Sequence, residues 1–129
     1  MKGLKILFVI HAAVTLAAAI ALVVAPAWIP GMINIEISRE QYLLSYFLGA
    51  AEFAIAFLSF QSRNITDKYA LKNIVITFII FHAVTGLLLP FGAFDGINMG
   101  IIIGNIILRV VISFLFYFLG IRMVKINTK

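Results

Sequence analysis

Cysteine is absent from this chain of 129 residues. Disulfides, thiolate metal sites, iron–sulfur clusters and cysteine nucleophiles are excluded together. Charge is scarce at 12% of residues, with only 5 acidic side chains. No paired acidic metal motif and no serine-hydrolase elbow occurs. Phosphate-binding glycine loops are missing too, since Gly92, Gly96, Gly100 and Gly104 are spaced for turns and helix packing. There is no repeat and no low-complexity tract. What the chain does have is apolar surface: 64% of residues are hydrophobic and the mean hydropathy is +1.14, against about 45–50% apolar in a soluble domain. A globule this small cannot hide so much, because small domains bury the least. A disordered chain is apolar-poor. The composition implies an integral membrane protein.

Four long apolar stretches run at about 4–25, 42–60, 69–89 and 99–123. Each can cross a hydrocarbon core of ~30 Å at 1.5 Å per residue. Period-two alternation is absent from all four, which argues against a barrel. The expected fold is therefore all-α, an antiparallel four-helix membrane bundle forming one domain over residues 1–129. Helix signals frame the stretches. Pro26 and Pro90 close the first and third. Ser38 with Gln41 has capping-box spacing before the second. Thr66 or Asp67 is placed to cap the third, and Asp95-Gly96 with Asn98 leads into the fourth. The first stretch has Lys2 and Lys5 in front and a cleavage-like Ala25-Pro26-Ala27, but its apolar length exceeds the 7–15 or so residues of a signal core, so it reads as a true span.

The cations orient the bundle. Lys2, Lys5, Arg63, Lys68, Lys72, Arg122, Lys125 and Lys129 fall on one side of an even-span chain, while Arg39 stands with Glu36, Glu40 and Asp95 on the other. The positive-inside rule places both termini in the cytoplasm. The net charge of +5 then reads as membrane anchoring, with no basic face left for nucleic acid. In the outer loop, Pro26 to Gln41, Trp28 sits at an interfacial belt position. Ile33, Ile35 and Ile37 alternate with polar residues, which reads as an extended piece on the membrane surface, either a lid or a connector.

Most of the chemistry must lie in residues that hydrocarbon excludes. Each stretch carries one strongly polar side chain: His11, Glu52, His82 and Arg109. Ionisable groups at membrane depth are costly and tend to face the bundle interior. Counted from each midpoint, Glu52 and Arg109 lie within about 2 Å of the centre, His82 about 3 Å outward and His11 about 5 Å inward. Ser45, Gly49, Glu52, Ala56 and Ser59 share one helical stripe, and Asn105, Arg109, Ser113 and Tyr117 share another. The candidate site is Glu52, Arg109, His82, His11 and Asn105. Two small-residue ridges, Ala13-Ala17-Ala21-Ala25 and Gly100-Gly104, read as packing devices.

Several roles fit that set. One is a pocket in which the polar groups hold the head of a lipid-soluble or amphipathic molecule, such as a quinone, sterol or fatty acid, between apolar walls. Another is acid–base chemistry or proton-coupled transport through Glu52 and His82, which a four-span chain would perform as a homodimer. A third is haem ligation by His11 and His82, which the estimated difference in depth disfavours. Two histidines and a carboxylate beside an arginine make no better a zinc site. The purely structural alternative is a Glu52–Arg109 ion pair that joins two helices, in an accessory subunit of a larger membrane complex.

In size and span count the chain resembles the small multidrug-resistance transporters, whose essential glutamate lies in the first helix, whereas Glu52 is in the second. The run Ala25-Pro26-Ala27-Trp28-Ile29-Pro30-Gly31, followed by Leu48-Gly49-Ala50-Ala51-Glu52, resembles small bacterial four-span proteins of the DoxX-like type. That resemblance implies a lipid-soluble ligand or an accessory role in quinone-linked oxidation, and it assigns no residue.

Overall fold

The computed structural model describes residues 2–92 and 95–122, and these are helical with no strand among them. Four long helices are apolar and long enough to cross a membrane. Helix α1 spans Lys2–Val24, a short α2 spans Trp28–Met32, α3 spans Tyr42–Ser62, α4 spans Lys68–Leu88 and α5 spans Met99–Phe116. A 3-10 turn, Arg39–Gln41, leads into α3, another, Leu89–Gly92, follows α4, and a π-turn, Tyr117–Arg122, prolongs α5. The expected fourth-span end at Met123, and the cations Lys125 and Lys129, lie outside the described residues.

The local signals act as their chemistry requires. The Ser38 amide donates to Gln41 Oε1 at 2.8 Å, one arm of the capping box. Asp67 caps α4 by accepting from the amides of Tyr69 and Ala70, and Asn98 caps α5 by accepting from Ile101. These contacts take up amide donors that every helix start leaves unpaired.

Helix α1 packs along α3, and α4 packs along α5 and its π-turn. The inward stripe of α1 is Leu4, Leu7, Phe8, His11, Ala12, Thr15, Ala19 and Leu22, a three- and four-residue rhythm. The alanine ridge expected to pack is turned away: Ala13, Ala17 and Ala25 are exposed, because the larger apolar side chains claim the inward face. Gly104 is exposed and would meet nothing within 4 Å if it carried a Cβ, so the glycine ridge packs nothing here either. The real close approach is at Gly49, where an added Cβ would stand 3.2 Å from the Ala19 carbonyl oxygen.

The two helix pairs meet through aromatic rings. Phe8 of α1, Phe78 of α4 and Phe116 of α5 are buried, with centroids 5.3–6.1 Å apart, distances at which aromatic pairs attract. At one end the connectors are tied together. The Asn98 amide donates to the Ile33 carbonyl at 3.2 Å, and Asn34 Nδ2 donates to the Gly96 carbonyl at 3.0 Å. Asn34 has φ of +63°, a left-handed conformation that asparagine tolerates better than most residues. The α1–α3 and α4–α5 connectors therefore lie at the same end.

Candidate functional site

His11 and His82 are almost fully buried, at 2% and 4% exposure, and they touch. Their Nε2 atoms are 2.8 Å apart. Counting rise along straight rods overstated their separation, because each ring reaches along and across its helix to its partner. At that distance the two nitrogens share a hydrogen bond rather than flank a metal, so haem ligation between them finds no room in this arrangement.

The pair belongs to a longer chain whose polarity is set from both ends. Ser59 Oγ donates to the Phe8 carbonyl at 3.0 Å. A serine hydroxyl has one hydrogen, so the 3.0 Å contact between Ser59 Oγ and His11 Nδ1 must be donated by the histidine. Neutral His11 then has a bare Nε2 and accepts from His82 Nε2–H. That leaves His82 with a bare Nδ1, which faces Arg109 Nη1 at 3.5 Å. Arginine can only donate, so starting from that end gives the same direction. The order is Arg109 to His82 to His11 to Ser59 to the Phe8 carbonyl, with both imidazoles neutral and every ring nitrogen engaged.

Arg109 is further steered by its own helix. Its Nε donates to Asn105 Oδ1 at 2.7 Å, one turn earlier. Asn105 is exposed and Arg109 half-buried, and the guanidinium also lies near the Phe81 ring, 5.9 Å from its centroid.

Glu52 corrects one expectation. No ion pair joins it to Arg109, and its carboxylate takes no hydrogen bond among the described residues. The reason is topological. Glu52 sits on α3, which packs on α1, and Arg109 on α5, which packs on α4; Asn105 and His82 turn the guanidinium toward its own pair. Ser113, on the same stripe of α5, has a buried hydroxyl without a hydrogen-bond partner, and Tyr117 is exposed.

All five expected site residues nevertheless line one cavity of about 130 Å³, together with apolar side chains that include Val14, Phe81 and Leu108. Helix α1 supplies His11, Val14, Thr15 and Ala18, and α5 supplies Asn105, Leu108, Arg109 and Ile112. Val14 and Leu108 are each 50% exposed, so the lips between α1 and α5 are apolar and open sideways. Two larger grooves, about 360 and 470 Å³, run along the α1–α3 seam and are almost wholly apolar. Of these three, the smaller cavity is the one that gathers groups able to orient a ligand. Sequence reasoning named Ser59 as part of an inward stripe but missed it as the terminal acceptor of the histidine chain; its polar signal in an apolar helix was the available clue.

No family model, curated protein or solved structure matches the chain. The site must be read from its own geometry.

Proposed function

We propose that the protein is an integral membrane, antiparallel four-helix bundle with both termini cytoplasmic, and that its intramembrane cavity binds the polar end of a lipid-soluble or amphipathic small molecule. The observation that carries this reading is Glu52, a carboxylate without a partner, facing the same cavity as the half-buried guanidinium of Arg109. Ionisable groups at membrane depth pair with one another or line functional cavities. Had the polar groups served packing alone, Glu52 would be expected to be satisfied as fully as His11 and His82 are.

The cavity volume limits what enters. Pockets that enclose a drug-sized ligand run to about 300–1,000 Å³, so about 130 Å³ accommodates a head group and leaves a tail outside. The apolar lips Val14 and Leu108 would pass that tail between α1 and α5 into the acyl chains. A whole sterol or quinone ring system with substituents is too large for the cavity; a carboxyl, hydroxyl or single carbonyl end is not.

Native mass spectrometry of the protein released from lipid nanodiscs tests the proposal. A bound small-molecule mass that is retained by Gly104→Ala, lost in Arg109→Gln and altered in amount in Glu52→Gln is the expected result. A bound mass indifferent to both substitutions, or none in any lipid composition, would refute it.

A further inference from the structure

We propose that the site takes a lipid-soluble carboxylic acid and splits it, keeping the carboxylate at Arg109 and storing the proton on the His82–His11 pair. The inference rests on the reading of the cavity as a ligand site and adds the chemical class of the ligand and the fate of its proton.

The geometry provides an entrance, a path and a store. The entrance is His82 Nδ1, which the chain polarity leaves as a bare lone pair beside the cavity, covered only by the long 3.5 Å contact from Arg109 Nη1. The path is the 2.8 Å Nε2–Nε2 bond. In the proposed step the acid O–H bond breaks and its electron pair stays on the carboxylate. A new N–H bond forms at His82 Nδ1, while the His82 Nε2 proton moves to His11 Nε2. His82 ends neutral with its hydrogen on Nδ1, and His11 ends as an imidazolium.

Only the Arg109–His82 contact is exchanged. His11 keeps its Nδ1–H bond to Ser59 and now donates from Nε2 back to the bare Nε2 of His82. The new His82 Nδ1–H faces the cavity and donates to the carboxylate. Arg109 Nη1, released from His82, donates to it as well, the planar fork that suits a carboxylate. His11 lies farther along the chain, beside the Phe78 and Phe116 rings, whose centroids are 4.9 and 5.2 Å away.

Charge counting favours keeping the proton within the site. The titratable groups facing the site are Glu52 from α3, Arg109 from α5, His11 from α1 and His82 from α4. A carboxylate bound without its proton would leave two anions facing one cation. With the proton on His11 there are two of each, and the net charge in the low-dielectric interior is the same before and after binding. Glu52 offers no onward hydrogen bond through which to pass a proton.

The experiment is NMR of 15N-histidine-labelled protein in lipid nanodiscs, with 13C-carboxyl dodecanoic acid as probe and dodecanol as the neutral control. Without probe, two neutral histidines of opposite tautomer are expected, His11 protonated on Nδ1 and His82 on Nε2. With the acid bound, the carboxyl carbon should report a carboxylate, His11 both nitrogens protonated, and His82 a switch to Nδ1–H. His11→Gln should weaken acid binding by about tenfold, the scale of one charge-assisted hydrogen bond, and weaken it more than dodecanol binding. Should that variant fail to fold, the wild-type spectra decide alone. Acid bound with both histidines unchanged, acid bound with the proton on Glu52, or alcohol bound in preference to acid would each overturn the relay and leave the ligand site standing. Binding of neither probe would overturn the ligand site and the relay together.

Discussion

Gly49→Ala tests the helix contact on which the geometry of α1 and α3 depends. An alanine Cβ there would stand 2.9 Å from Val23 Cγ2, 3.2 Å from the Ala19 carbonyl oxygen and 3.3 Å from Leu22 Cβ, whereas carbon–carbon contacts are best at about 3.5–4.0 Å. Val23 is half exposed and can rotate away at small cost. The Ala19 oxygen is backbone, so α1 must retreat by a few tenths of an ångström along a tightly packed seam. Overpacking of this kind costs about 1–3 kcal/mol. Replacing glycine by alanine in a helix returns up to ~1 kcal/mol, so Gly49→Ala alone should be destabilising by about 0–2 kcal/mol. Gly104→Ala supplies the correction, because its Cβ would meet nothing within 4 Å and it keeps the whole helix-propensity gain. The difference between the two variants isolates the steric term at about 1–3 kcal/mol. Reversible unfolding in mixed detergent micelles, followed by circular dichroism, measures both. Equal stability of the two variants would refute the close approach of α1 and α3 at Gly49.

Gly120→Ala should be more damaging, since its Cβ would fall 2.6 and 2.7 Å from the two Val75 methyls and Val75 is fully buried. The same unfolding assay on Gly120→Ala combined with Val75→Ala should show a favourable coupling of about 0.5–3 kcal/mol, and strict additivity would show that the two positions are not in contact. Glu52→Gln should change unfolding stability by less than about 1 kcal/mol, the usual worth of one polar contact between membrane helices, because no ion pair is broken. Arg109→Gln removes the bonds to both His82 and Asn105 and should cost about 1–2 kcal/mol. A larger loss from Glu52→Gln than from Arg109→Gln would mean that the carboxylate has a structural partner.

The four apolar helices were legible because their signals are local: unbroken hydrophobic length, prolines after two of them, and capping side chains at Gln41, Asp67 and Asn98 whose partners lie two or three residues away. The short α2, Trp28–Met32, was not read, since Pro30 and Gly31 look like a chain exit and nothing within five residues says helix. That five polar residues would gather at one cavity was legible for a different reason, the rarity of polar groups in apolar segments. Their pairing was not. Depth along a helix is one coordinate, and contact needs the other two, rotation about the axis and the identity of the neighbouring helix. Hence Glu52 and Arg109, matched in depth, do not pair, while His11 and His82, mismatched in depth, do. The alanine ridge failed likewise: small residues allow close approach, but the heavier stripe through Leu4, Phe8, His11 and Thr15 decided which face of α1 turned inward.

The same distinction separates what the polar groups cost from what they can do. A neutral imidazole pair ending on a serine and a backbone carbonyl satisfies its polar atoms without placing a charge in a low-dielectric interior, so His11, His82 and Ser59 need no ligand to be stable there. Glu52 and Arg109 differ: both face one small cavity, and their charges are not neutralised by contact with each other. Burial of an unpaired charge is expensive, which makes the empty pairing the least comfortable feature of the interior. A ligand that accepts from Arg109 while keeping the charge count balanced would relieve it. A neutral acid meets that condition because it carries its own proton, and His82 Nδ1, covered only by the long contact from Arg109, is placed to receive it.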